Sequence, residues 1–299
     1  MTIVLFGKSG QLGWELQRAL APLGEVISFG HGAGQSNADF TNPESLANTI
    51  RSIKPRIIVN AAAYTAVDKA EDEPELANLI NAEAPRVLAR EAANLGACLI
   101  HYSTDYVFDG SGTIPWLETD LPAPLNIYGR SKLAGERAIQ QSGCHHLVFR
   151  TGWVYSAHGN NFLKTILKLA ADRETLTIVD DQIGAPTGVE LLANVTTHAL
   201  KAVFDGKGLS GLYHVAAAGE TSWHDYANLV IEIARKQQAK LKVTSVQPVA
   251  SKDFLMKAKR PLNSRLETKK LREDFGLTLP DWRQGVERTT LEILNRSAQ

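Results

Sequence analysis

Cysteine is scarce in this chain of 299 residues, with only Cys98 and Cys144 present. Two cysteines so far apart offer neither a disulfide framework nor a zinc site, and Cys98, in the run Ala97-Cys98-Leu99-Ile100, reads as a small buried hydrophobe. Net charge is missing too. The 32 Lys and Arg residues balance 32 Asp and Glu without a dense basic stripe, which argues against a chain built to bind nucleic acid. No apolar run approaches the roughly 20 residues needed to span a bilayer. The N-terminus, Met1-Thr2-Ile3-Val4-Leu5-Phe6-Gly7, lacks the positive flank and long apolar core of a signal peptide and reads as a strand. Together these absences predict a reduced, cytoplasmic protein with neither nucleic acid nor membrane as partner. What is present, 44% hydrophobic and 21% charged residues, is ordinary globular composition with enough apolar mass for a sizeable core.

The first half of the chain alternates between two periodicities. Short β-branched runs at Thr2–Phe6, Glu25–Phe29, Arg56–Asn60, Ala97–Ser103 and His145–Thr151 read as strands. Between them, Gln11–Ala21, Pro43–Ile53, Pro74–Leu95 and Ile127–Gln140 read as helices, with Asn42 as an N-cap and Gly96 as a C-terminal stop. Strands alternating with helices predict an α/β fold, a Rossmann-like doubly wound parallel sheet. After about Ser156 the rhythm loosens. The expected division is therefore a nucleotide-binding domain over 1–155, to which about 189–204 returns, and a smaller mixed α/β substrate-binding lobe made of 156–188 and 205–299.

Gly7-Lys8-Ser9-Gly10-Gln11-Leu12-Gly13 joins the first strand to the first helix. Gly7, Gly10 and Gly13 permit positive φ, close backbone approach and tight helix–strand packing, and the helix N-terminus can hold a pyrophosphate. The spacing is Gly-x-x-Gly-x-x-Gly. A ribose-binding acid is expected where the second strand ends, but the sequence there is Phe29-Gly30-His31-Gly32, with neither acid nor arginine. The choice between NADPH and NADH stays open on that ground. Asp39-Phe40 follows closely enough to flank an adenine.

Tyr128 and Lys132 stand four residues apart, one turn on a helix. A phenol near pKa ~10 is a poor acid at neutral pH, and a nearby ammonium is expected to lower it toward the range of a general acid for a carbonyl oxygen. The strand ending His101-Tyr102-Ser103-Thr104-Asp105 delivers hydroxyls to the sheet edge where doubly wound folds bind ligands. Thr104 can donate to a developing alkoxide, and Asp105 can bind a sugar hydroxyl or assist proton transfer.

Taken together these segments resemble the extended short-chain dehydrogenase/reductase family. Within it, the match narrows to the branch that reduces a dTDP-linked 4-keto-6-deoxy sugar. It is carried also by Val59-Asn60-Ala61-Ala62-Ala63-Tyr64-Thr65-Ala66-Val67-Asp68, Tyr102 to Phe108, Pro124 to Gly129, Arg150-Thr151-Gly152-Trp153-Val154-Tyr155, Asp181 to Thr187 and Arg260-Pro261-Leu262-Asn263-Ser264. The resemblance implies reduction of the C4 ketone of dTDP-6-deoxy-L-lyxo-4-hexulose to dTDP-L-rhamnose, with hydride from NADPH or NADH. It implies that Tyr128 protonates the alkoxide, that Lys132 lowers the phenol pKa and holds the ribose, and that Thr104 binds the sugar carbonyl. Asp105 and Trp153 would contact substrate. Gly10, Gln11, Leu12, Asp39, Phe40, Ala61, Ala62, Ala63, Tyr64 and Thr65 would line the cofactor. It further implies a homodimer, with Glu15, Glu190 and Glu292 holding a structural Mg2+ at the subunit contact. Related 4,6-dehydratases carry Thr-Asp-Glu after the strand. Tyr106 here replaces that glutamate, which disfavours elimination. A 4-epimerase and a non-catalytic cofactor-binding subunit remain the rival functions on the same fold.

Overall fold

A computed structural model describes residues 1–30, 38–254 and 256–297; His31 and Gly32 fall outside them. In chain order the elements are β1 (Thr2–Phe6), α1 (Gln11–Leu20), β2 (Glu25–Phe29), α2 (Pro43–Ile53), β3 (Ile57–Asn60), α3 (Val67–Ala70), α4 (Pro74–Asn78), α5 (Ala84–Leu95), β4 (Cys98–Thr104), α6 (Ile127–Gln141), β5 (His145–Thr151) and β6 (Val154–Tyr155). There follow α7 (Phe162–Asp172), β7 (Thr175–Val179), β8 (Ile183–Gly184), β9 (Thr187–Gly188), α8 (Val189–Ala202), β10 (Gly211–His214), β11 (Thr221–Ser222), α9 (Trp223–Lys236), β12 (Ser245–Val249), α10 (Lys269–Phe275) and α11 (Trp282–Ser297).

Six strands form one parallel sheet in the order β2-β1-β3-β4-β5-β10. The order reverses between β1 and β3, so a crevice opens beyond their C-terminal ends, the usual ligand position in such sheets. Both faces are covered, which is why β3 and β4 are buried throughout. Leu16 and Leu20 of α1, Leu192 and Leu200 of α8, and Leu271 and Phe275 of α10 pack one face. Leu46 and Ile50 of α2, Leu88 and Ala92 of α5, and Ile139 of α6 pack the other. A separate core gathers Tyr155, Leu163 and Ile166 with Tyr226, Val230, Trp282 and Val286 from α9 and α11.

The expected caps are present. Asn42 Oδ1 accepts the Ser45 N–H at 3.1 Å, and Gly96 closes α5 with φ +64°. Three features differ from the sequence expectation. The helix expected over Pro74–Leu95 contains a π-helical turn, Leu79–Glu83, between α4 and α5. And β10, expected in the smaller lobe, is the sixth strand of the main sheet, paired with β5 from Gly211↔Leu147 to His214↔Arg150. Its sequence explains the placement: Tyr213 joins one face of the main core and Leu212 the other, so burial on both sides draws it into the sheet. α10 likewise packs on the main core through Leu271 and Phe275.

Candidate active site

The crevice at the switch point is a cavity of about 250 Å³ lined by Gly7, Ser9, Gly10, Phe29, Gly30, Asp39, Phe40, Ala61, Ala62 and Ala63, among others. Gly7 has φ +89°, and a Cβ there would stand 2.7 Å from the Ala61 backbone. A Cβ on Gly13 would stand 1.9 Å from the Gly7 carbonyl oxygen, so only glycine allows α1 to approach the loop this closely. No side chain caps α1, which leaves its N-terminus facing the crevice for a phosphate. A nicotinamide dinucleotide fits these residues: small side chains at Ala61–Ala63, an apolar wall from Phe40 and a bare helix start.

Gln11, Leu12, Tyr64 and Thr65, also expected at the cofactor, are not among the residues that line this cavity. Gln11 turns its side chain away, accepting Asn161 Nδ2 at 2.8 Å. Leu12 is packed against the main core. Tyr64 donates its hydroxyl to Glu73 at 2.7 Å, and Thr65 is exposed beside it. The Asp39 carboxylate is folded into its own turn, accepting the Thr41 N–H at 2.8 Å.

Thr104, Asp105 and Tyr128 come together where β4 ends and α6 begins. Asn126 caps α6 by accepting the Gly129 N–H at 2.7 Å, and its Nδ2 donates to the Lys259 carbonyl at 2.8 Å. Gly129 must be glycine, because a Cβ there would meet the Tyr106 carbonyl oxygen at 2.2 Å. This close approach sets the phenol of Tyr128 within hydrogen-bonding reach of the Thr104 hydroxyl. The Thr104 hydroxyl also donates to Asp105 Oδ1 at 3.0 Å. Asp105 Oδ2 is buried without a partner, and burial pushes the carboxyl up to about 6 although Ser264 and Thr104 bond to it. Tyr106 meets Tyr128 edge to face, with centroids 5.6 Å apart. Trp153 has φ +51° and is stacked on Trp223, with ring centroids 3.7 Å apart.

One expectation is overturned. The phenol of Tyr128 is not lowered by Lys132: burial pushes it up to about 12, with Thr104 opposing. Lys132 points elsewhere. Its Nζ donates to the Tyr102 carbonyl at 2.6 Å and lies 3.3 Å from His101 Nε2. Burial lowers the ammonium to about 8, against the pull of Glu136. The sequence alone did not single out His101 or Asn60, though each is a polar residue inside an apolar strand, which is itself a signal. Nor did it single out Asn81. This π-turn residue accepts the Tyr64 N–H at 2.9 Å, and its Nδ2 donates to the Tyr64 carbonyl and the Ser131 hydroxyl, each at 3.0 Å. Lys8 was also passed over, yet a Cβ on Gly30 would stand 3.2 Å from its Cγ and 3.4 Å from the Ser9 hydroxyl.

The three glutamates expected to hold Mg2+ lie near enough for Glu190 to feel the other two, but their carboxylate oxygens do not close on one point within the chain. Glu15 is paired with Arg18 and Glu292 with Arg296. Glu190 feels both acids: its carboxyl is raised, first by burial and then by their fields, while Arg288 opposes. Among the described residues, the only three candidate ligands with converging donor atoms are Asp180, His224 and Asp225, at the surface. The donor set therefore does not fit a metal held by one chain, and no step below uses one. No helix of the described residues is long and apolar enough to cross a membrane.

Comparison with known proteins agrees with the geometry. The family profile described as RmlD substrate binding domain matches residues 1–295. The dTDP-4-dehydrorhamnose reductase of Escherichia coli K12 is 54% identical over 298 residues, 100% of both chains. That of Burkholderia thailandensis is 44% identical, over 99% of this chain and 100% of its own. Among solved structures, the dTDP-4-dehydrorhamnose reductase of Bacillus anthracis in complex with NADP superposes with a TM-score of 0.87 at 36% identity, covering 97% of this chain and 99% of the other. A Thermus thermophilus UDP-glucose 4-epimerase shares the fold, with a TM-score of 0.80 at 20% identity, 98% of this chain and 99% of the other being covered. With a full-length profile match and relatives above half identity, the chain belongs to the RmlD family of dTDP-4-dehydrorhamnose reductases.

Proposed function

We propose that this protein reduces the C4 ketone of dTDP-4-dehydro-6-deoxy-L-mannose to dTDP-L-rhamnose, using NADPH or NADH, and so makes a precursor for cell-surface polysaccharide. The observation that carries the reading is the meeting of the Thr104 hydroxyl and the Tyr128 phenol at the C-terminal end of β4, the edge of the sheet on which the glycine-lined crevice also opens. When bound, the dinucleotide supplies the hydride. Gly7, Gly10 and Gly13 give its pyrophosphate a close backbone seat, and Ala61–Ala63 with Phe40 and Asp39 border the rest.

Thr104 holds the sugar carbonyl oxygen by a hydrogen bond, and Tyr128 gives its proton to that oxygen as it becomes an alkoxide. A phenol raised by burial keeps its proton until an alkoxide arrives, and an alkoxide is basic enough to take it. Lys132 binds the ribose hydroxyls. Asp105 and Trp153 contact the sugar, Asp105 as an acceptor for a hydroxyl. Residues 156–188 with much of 217–293 form a smaller lobe that carries the sugar nucleotide. We place the enzyme in the cytoplasm as a homodimer.

The test is direct. Purified protein, supplied with the dTDP-linked 4-keto-6-deoxy sugar, is followed by nicotinamide absorbance and the product identified by NMR. Oxidation of NADPH or NADH with formation of the rhamnose nucleotide is expected. No turnover with either cofactor, despite cofactor binding, would overturn the proposal in favour of a binding subunit.

A further inference from the structure

Asn60, the last residue of β3, and His101, in the middle of β4, are register partners, and both are 1% exposed. Asn60 lies under the crevice. Its Oδ1 accepts the backbone N–H of Ala62 at 3.1 Å, and Ala62 lines the cavity. A backbone N–H can only donate, so this bond decides which way round the Asn60 amide sits. The amide nitrogen must then face the imidazole, and it lies 3.0 Å from His101 Nδ1. An amide N–H also only donates, so Nδ1 must accept. A neutral imidazole carries one proton, and with Nδ1 accepting, that proton sits on Nε2. His101 is neutral, because complete burial holds it well below the usual histidine range.

The proton on Nε2 points at Lys132 Nζ, 3.3 Å away. An ammonium has three donors and no acceptor, and here it would meet the imidazole donor to donor. A neutral amine fits instead: its lone pair accepts from His101 while an N–H donates to the Tyr102 carbonyl at 2.6 Å. Reversing Asn60 would relieve the lysine, but it would set an amide N–H against the Ala62 N–H and leave that backbone donor without its acceptor.

We infer that Asn60 locks His101 as the Nε2–H tautomer, so that His101 donates to Lys132 Nζ and favours its neutral amine. His101 is thus a positioning residue through which the floor of the crevice sets the charge of the lysine. The surrounding charges do not cancel the effect. Glu136, one turn along α6, favours the ammonium. Both its oxygens, however, are held by Arg150 of β5, at 2.9 and 2.6 Å. Lys132 therefore changes charge within reach of neutral pH instead of remaining a fixed cation, and its depressed ammonium agrees with this.

The inference deepens the reading of Tyr128 and Lys132 as the working pair, and its first test needs no turnover. Long-range 1H–15N NMR of the ligand-free protein labelled on histidine reads the tautomer, with the His101 ring assigned by its loss in His101→Gln. A protonated Nε2 and bare Nδ1, unchanged between about pH 6 and 8, are expected. A protonated Nδ1 would overturn the inference. Asn60→Asp keeps an acceptor for Ala62 and places a second acceptor against Nδ1. It is expected to invert the tautomer and to raise the alkaline midpoint of kcat by about one unit or more, with KM for NADPH changed less than about threefold. Inversion with an unmoved midpoint would also overturn it. His101→Gln, which can turn a carbonyl oxygen to Lys132, is expected to raise the same midpoint, and it decides the matter should Asn60→Asp not fold. Failure of sugar reduction by the wild-type protein would sink the proposed function while leaving the tautomer result standing.

Discussion

Lys132 Nζ rests 2.6 Å from the carbonyl oxygen of Tyr102, on the strand beside its helix, and not against the phenol one turn away. The lysine is therefore held by β4 while Tyr128 is held by Thr104, so their losses should read differently. Tyr128→Phe is expected to fold, to bind NADPH with unchanged Kd and to lose about 10²- to 10⁴-fold in kcat. Lys132→Ala is expected to lose as much and to raise the cofactor Kd as well. Thr104→Val, missing one hydrogen bond to the developing oxyanion, should fall between these and wild type. Steady-state kinetics with cofactor titration by fluorescence checks all three. Near wild-type kcat in Tyr128→Phe would move the proton donor elsewhere, first to Asp105.

The pH profile follows from the same lysine. Its ammonium is lowered to about 8, so the charged form predominates below that pH and is lost above it. If the charged form binds the ribose, kcat/KM should be flat near neutrality and fall on an alkaline limb centred near that value. A profile still rising well beyond it would exclude the charged lysine as the working form.

Asp105 gives a stability signature. Its folded carboxyl is raised from 3.8 to about 6, so the folded state binds the proton more tightly than the unfolded one. The associated stability is full below about pH 4 and is lost as pH rises through about 6, a difference of roughly 2–3 kcal/mol. Asp105→Asn cannot ionise, so it should be more stable than wild type at neutral pH, with the gap closing toward acid. Thermal melts across that range read the effect, and a constant gap would refute it.

The Arg150–Glu136 pair is fully buried and bidentate, and Arg150 Nη1 has no hydrogen-bond partner. Removing the acid leaves a buried, uncompensated guanidinium. Glu136→Ala is therefore expected to cost about 3–5 kcal/mol in denaturant unfolding. The double replacement by apolar residues of similar volume should recover much of that loss.

Gly30 sits where an acid would bind a 2′-hydroxyl and repel a 2′-phosphate, and Lys8 lies beside it. Gly30→Asp should shift the NADPH to NADH ratio of kcat/KM toward NADH by about tenfold or more. The new Cβ meets only flexible side-chain atoms of Lys8 and Ser9, so the fold should tolerate it. Dissociation constants for both cofactors, measured beside the kinetics, locate the effect in binding.

Much of this was legible from sequence because it depends on local chemistry. The glycine loop, the strand ends at Thr104 and Asp105, the Tyr128–Lys132 spacing and the Asn42 and Gly96 caps are written in neighbouring residues. What was not legible depends on residues far apart. Lys132 was expected to serve Tyr128 because they share a helix, but the lysine's partners come from β4, and register decides them. Tyr213 and Leu212 carry the apolar pattern of a buried strand, yet nothing near them says which sheet they join. Trp153 takes a left-handed backbone conformation unusual for its residue type, a cost set by packing against Trp223 that no local pattern signals.

The π-helical turn at Leu79–Glu83 also phases the molecule. It holds one residue more than an α-helical path would, so α5 is rotated by about 100° relative to a straight continuation of α4. That extra residue acts as a gear tooth between two surfaces: one side of the turn serves Tyr64 and Ser131 through Asn81, while the other feeds Leu88 and Ala92 into the sheet core. Deleting Ile80 would leave the helical propensity of the segment intact yet make the two surfaces incompatible. Either Asn81 would lose its grip beneath the active site, or Leu88 and Ala92 would swing out of the core.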